Sequence, residues 1–110
     1  METLDDFRAR RERLNEIVLR NAGLPLKRFF ALDHDAYGEG ALPQKVKELI
    51  GLASSTVLRC NDCISYHLTE ALDRGATKEE ILETLTIALV VGGSITIPHL
   101  RHAIAQLEEA

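Results

Sequence analysis

The apolar residues of this chain recur with the spacing of a helix, and no stretch alternates convincingly with the period of a strand. That pattern points to an all-α fold. Its clearest instance is Val46, Leu49, Ile50, Ala53 and Val57, at i, i+3, i+4, i+7 and i+11, which predicts an amphipathic helix with that stripe as its buried face. Pro43 fits the first turn of this helix, which reaches about Arg59. A first helix is expected from about Asp5 to Asn21, capped by Thr3 and stopped by Gly23 and Pro25. Residues 24–42 read as irregular, with a short helix over Leu26 to Asp33 and a turn at Gly38-Glu39-Gly40. Asn61 and Asp62 are cap-type residues that open a helix ending at Gly75. Thr77-Lys78-Glu79-Glu80 is a capping box for the next one. Pro98 starts the last, with Leu100, Ala103, Ile104 and Leu107 on one face. The expected architecture is one compact domain over residues 1–110 with five or six helices. From Leu85 to Val91 the fifth helix is apolar nearly all round, more than so small a domain can cover, which predicts burial between subunits.

Composition removes several functions. A net charge of −4 argues against a nucleic-acid binder, and the basic cluster Arg8, Arg10, Arg11 and Arg13 is interleaved with acids, as on a solvated helix face. Met1 to Asp6 is acidic and lacks a signal-peptide pattern, and the longest strongly apolar run, Ile87 to Val91, is far too short to cross a bilayer. A cytoplasmic location is the expectation, with no nucleic-acid or membrane partner. A purely structural disulfide is uncommon in that compartment, so the chain's two cysteines call for metal binding, redox chemistry or packing.

The informative segment is Cys60-Asn61-Asp62-Cys63-Ile64-Ser65-Tyr66-His67. Two cysteines three apart at a helix start can close a disulfide with little backbone movement, and the helix N-terminus lowers a thiol pKa below its free value of ~8.5. His67 lies one turn beyond Cys63 on the same face, where it can take the thiol proton or pair with the thiolate. Other readings stand beside this one. Cys60, Cys63 and His67 could ligate zinc, with His99 or His102 as the fourth ligand. The cysteines could be inert core residues. Glu48, in the run Lys45-Val46-Lys47-Glu48, reads from spacing alone as a surface charge, although a carboxylate there could orient His67. His99 and His102 read as polar residues on the exposed face of the last helix.

Three blocks of the chain together resemble a known family. They are Leu42-Pro43-x-Lys45-x-Lys47-Glu48-Leu49-Ile50, then Cys60-x-x-Cys63-x-x-x-His67, then Ala71-x-x-x-Gly75-Ala76-Thr77-x-Glu79-Glu80-Ile81. This combination is similar to the carboxymuconolactone decarboxylase family, and more narrowly to its alkyl hydroperoxidase D-like branch. The resemblance covers roughly Ala41 to Gly93 closely. It implies an all-α fold assembled as a homotrimer or homohexamer, and an active site of Glu48, Cys60, Cys63 and His67, with Glu48 as a proton relay. It implies that Cys63 attacks a hydroperoxide, that Cys60 resolves the product into a disulfide, and that a dithiol such as a lipoyl group or a thioredoxin-like protein reduces it. Some members of the branch carry histidine where Asp62 stands, and an acid there would raise a neighbouring thiol's pKa. The decarboxylase branch lacks the cysteine pair. A non-redox enzyme of that kind is the alternative activity. No nucleotide, flavin or haem motif is visible, and no organic cofactor is expected.

Overall fold

In the computed structural model, which describes all residues 1–110, the chain forms six α-helices and no strand. These are α1 (Leu4–Asn21), α2 (Leu24–Ala36), α3 (Gln44–Val57), α4 (Asn61–Asp73), α5 (Lys78–Gly92) and α6 (Ile97–Glu109), with a 3-10 turn at Ser94–Thr96. Both capping boxes form as their residue types require. Thr3 accepts from the Asp6 amide at 3.1 Å while Asp6 accepts from the Thr3 amide. Thr77 and Glu80 do the same at the head of α5.

The core lies between α3, α4, α5 and α6 and is built on Leu52, Ile64, Leu68, Ile81, Leu85, Ala103 and Leu107, with Leu4 closing one end. Here the structure departs from the predicted face of α3. Its buried residues are Glu48, Gly51, Leu52, Ser55 and Thr56, whereas Ile50 is 51% exposed and Val46, Leu49, Ala53 and Val57 are only half-buried. Polarity on the inner face costs little, because Ser55 and Thr56 donate to the Gly51 and Leu52 carbonyls of their own helix. Three boundaries also shift. The segment read as irregular holds a full helix, α2. Pro43 is the N-cap of α3 rather than a first-turn residue. The cap of α4 is Cys60, not Asn61 or Asp62.

The link from α3 to α4 places the cysteines. Arg59 adopts φ +63°, its amide bonds the Thr56 carbonyl, and the Cys60 amide bonds the Ser55 carbonyl. This is a Schellman closure, normally built on glycine, and it reverses the chain within two residues. The same closure ends α4, where Gly75 holds φ +87° and the Ala76 amide bonds the Ala71 carbonyl. A β-branched residue tolerates this conformation poorly, so Arg59→Val is expected to lower unfolding free energy by about 1 to 2 kcal/mol in denaturant titration. Arg59→Gly is expected to match or exceed wild-type stability in the same titration.

Apolar surface is left over. On α5 only Ile81, Leu85 and Ala88 are buried, while Ile87, Val90 and Val91 are 60–75% exposed. Leu58, Ile95 and Ile97 are also exposed, and α2 buries no residue at all. The accessible surface is 6946 Å², against about 6,100 Å² for a compact monomer of this mass. The radius of gyration is 14.3 Å, against about 13 Å. α1 packs on the core through Leu4 and Phe7, while its second half, with Leu14, Ile17, Val18 and Leu19, and all of α2 leave apolar side chains open. No helix is long and apolar enough to cross a membrane.

Candidate active site

The four residues singled out from the sequence converge at the start of α4. Cys60 and Cys63 are joined in a disulfide across Cα atoms 5.3 Å apart. Cys60 is half-buried, and its sulfur caps the helix by accepting from the Cys63 amide at 3.3 Å. Cys63 is exposed. The two sulfurs are thus unlike. Solvent reaches Cys63, while Cys60 sits where helix amides stabilise negative charge on sulfur.

One turn on, His67 Nδ1 lies 2.8 Å from Glu48 Oε1. Glu48 is 1% exposed, so the surface charge read from its spacing is instead a buried carboxylate. A buried carboxylate requires compensation. His67 supplies it directly, and Arg74 Nε stands 4.0 Å from the other oxygen. With Nδ1 engaged by Glu48, Nε2 of His67 is the nitrogen left for chemistry.

Several residues that sequence reading passed over build this site. Gly51 is the closest. A Cβ there would lie 2.6 Å from His67 Cε1 and 2.6 Å from Tyr37 Oη, so only glycine lets the imidazole lie against α3. Tyr37 stacks on the ring and Tyr66 meets it edge-on, with centroids 5.4 and 5.1 Å away. Burial, with Glu70 nearby, pushes the Tyr66 phenol up to about 12, so it stays protonated. The signal for Gly51 was a glycine in mid-helix, which costs ~1 kcal/mol and wants a reason. Arg10, assigned to a solvated face, reaches across to Asp62 at 2.9 Å and to Glu2 at 2.8 Å. That pairing offsets the charge of Asp62 beside the cysteine, which the sequence reading left unopposed.

A cleft of about 400 Å³ opens over Cys63 and His67. Phe7, Leu14, Phe29 and Phe30 give it apolar walls, and Arg11 at its edge lies over the Tyr66 ring at 4.1 Å. Cys60 does not line the cleft. The zinc alternative finds no ligand set. Both sulfurs are bonded to each other, and nowhere do three His, Cys, Asp or Glu side chains converge as a metal centre needs. The two α6 histidines face the other side of the α4 start. His99 Nδ1 is 2.8 Å from Asn61 Oδ1, and His102 Nε2 is 3.0 Å from Ser65 Oγ. Both are half-buried rather than on the exposed face expected for them.

The all-helical core presents a disulfide-bonded Cys-x-x-Cys with unequally exposed sulfurs beside a carboxylate-held histidine, an arrangement able to carry thiol–disulfide chemistry. Residues 24–109 match the model of the carboxymuconolactone decarboxylase family, and the chain belongs to that family. Protein TM1620 from Thermotoga maritima has a crystal structure to which this chain is 58% identical, with a TM-score of 0.90 over 94% of this chain and 90% of that one. An involvement in antioxidative response has been suggested for it. The carboxymuconolactone decarboxylase family protein lpg0406 of Legionella pneumophila is 29% identical, with a TM-score of 0.81 over 96% and 95% of the two chains. Among curated proteins, protein 4 in the cox locus of Paracoccus denitrificans is 35% identical over 74% of this chain and 73% of its own length. The alkyl hydroperoxide reductase AhpD of Corynebacterium kroppenstedtii is 39% identical over 42% of this chain and 26% of its own length.

Proposed function

We propose that this protein is a thiol-dependent peroxidase and disulfide oxidoreductase. The observation that carries the reading is the asymmetry of the sulfurs. Exposed Cys63 shares a cleft with His67, while Cys60 is withdrawn and caps the helix. In the reduced protein, the Cys63 thiolate attacks the terminal oxygen of a hydroperoxide. The O–O bond breaks, the alkoxide takes a proton from His67 and leaves as alcohol, and Cys63 becomes a sulfenic acid. Cys60 then attacks the Cys63 sulfur and expels hydroxide, which leaves as water, closing the disulfide seen here. Glu48 fixes the tautomer and orientation of His67 throughout. A dithiol donor, lipoyl or thioredoxin-like, attacks the accessible Cys63 sulfur, and Cys60 departs as a thiolate held by the helix amides. The apolar walls suit an organic hydroperoxide better than hydrogen peroxide.

The test is steady-state consumption of cumene hydroperoxide with dihydrolipoamide as electron donor. Turnover with one oxidised lipoamide formed per hydroperoxide supports the reading. Turnover of a carboxymuconolactone acid with both cysteines replaced would substitute the decarboxylase activity for it.

The uncovered face of α5 belongs to the same proposal. We assign it to contact between copies of this chain, in a homotrimer or homohexamer, because Ile87, Val90 and Val91 stand exposed together on one helix. Val90→Asp puts a charge at the centre of that face. It is expected to shift the mass measured by light scattering to that of one chain, 12.2 kDa. An unchanged mass above one chain would place the contact elsewhere, and a monomeric wild type would remove it.

A further inference from the structure

A chain of hydrogen bonds that the peroxidase scheme leaves unused runs from the edge of the cleft to the far side of the cysteine turn. It starts at Asp62, which Arg10 of α1 grips, and Arg10 also binds the Glu2 carboxylate. The Glu2 carbonyl accepts from Gln106 Nε2 at 3.2 Å. Gln106 is wholly buried, and its Oε1 accepts from the Ser65 hydroxyl at 2.6 Å. With its proton committed there, Ser65 Oγ accepts from His102 Nε2. The His102 ring lies against the Asn61 backbone, and His99 one turn earlier bonds the Asn61 side chain. Contacts from α1 and α6 thus converge on Asn61 and Asp62, the two residues between the cysteines.

We propose that His99 and His102 are positioning residues of the Cys60–Cys63 couple, holding the first turn of α4 from α6 so that the two sulfurs stay within bonding reach. A held turn raises the effective concentration of one thiol at the other, which favours the disulfide over the dithiol. Burial lowers the His102 pKa against the pull of the Asn61 backbone and Asp62, with His99 and Glu2 the other charged or titratable groups near it. The ring is therefore a neutral hydrogen-bonding group at pH 7. The inference requires only the disulfide, not the peroxidase reading, and its test contains no peroxide.

The test equilibrates the whole protein with reduced and oxidised dithiothreitol at pH 7 and counts protein thiols. The donor gives two electrons and two protons to the Cys60–Cys63 bond and closes its own disulfide. His99→Ala with His102→Ala is expected to raise the equilibrium constant for reduction about tenfold, which is about 30 mV. His99→Gln with His102→Gln restores amide donors at both places and is expected to stay within about twofold of wild type. Leu107→Ala loosens the core contact of α6 away from the turn and is expected to leave the constant unchanged. If the double alanine variant does not fold, His99→Ala alone is read, with an expected shift of about threefold. An unchanged constant in a folded alanine variant overturns the proposal. So does an equal shift in the glutamine variant or in Leu107→Ala.

Discussion

Replacing Cys63 by serine is expected to bring hydroperoxide turnover to the background rate, because in the proposed scheme the exposed sulfur is both the atom oxidised and the atom the reductant attacks to return electrons. Cys60→Ser is expected to behave differently. It retains the attacking thiol and the His67–Glu48 pair, so it consumes one equivalent of hydroperoxide and stops at the sulfenic acid, which dimedone traps. A serine at Cys63 with full activity would sink the scheme. A serine at Cys60 that still cycles would show that the reductant attacks the sulfenic acid directly. Rate assays with single-turnover mass measurement separate these results.

The second large effect is expected at a residue with no chemistry of its own. Gly51→Ala adds one methyl group where His67 and Tyr37 approach to 2.6 Å. Alanine gains about 1 kcal/mol over glycine as a helix former, while forcing a methyl into a filled space costs about 1 to 3 kcal/mol. Stability therefore changes little or falls modestly. Activity falls much more, because the imidazole is pushed off the buried Glu48 carboxylate and the acid–base contribution, worth about 100-fold or more, is lost. The check is a pair of numbers, a midpoint in urea and a kcat with cumene hydroperoxide. Glu48→Gln removes the same relay without crowding, so combining the two substitutions is expected to cost scarcely more than either alone. A Gly51→Ala protein of wild-type activity would show that His67 does not depend on lying against α3.

Five of the six helices were legible from local signals, whereas α2 was read as an irregular stretch with a short helix over Leu26 to Asp33. Two capping boxes, a glycine at the Schellman position and two prolines near helix starts fix most boundaries within a residue or two, because the physics there is short-range. The orientation of α3 was not legible. Its apolar stripe at Val46, Ile50 and Val57 promised a buried face, but the core took the side with Glu48, Gly51 and Leu52. A stripe marks a face that wants covering, and the pattern does not say whether this chain or another copy covers it. The over-apolar α5 poses the same question, since its reading as a face buried between subunits needs a second copy to test it. Its surplus residues are exposed in the single chain.

The candidate site was legible in its reactive groups and not in its supports. Cys-x-x-Cys-x-x-x-His is a local pattern, and helical spacing carries it into three dimensions. Spacing alone placed Glu48 on the surface, and only the family resemblance brought it to His67. Arg10, Tyr37, Ser65 and Gln106 act across 30 to 104 positions of sequence, and Gly51 through a single missing methyl. Helical periodicity carries no information over such distances.

The central claim is that Cys60 and Cys63 form one redox couple oxidised by hydroperoxide. It is tested most directly by treating the fully reduced protein with one equivalent of cumene hydroperoxide, then counting free thiols and weighing the intact chain. The account predicts rapid loss of both thiols, a mass lower by two hydrogens and one equivalent of cumyl alcohol. Two surviving thiols and unconsumed hydroperoxide would contradict it.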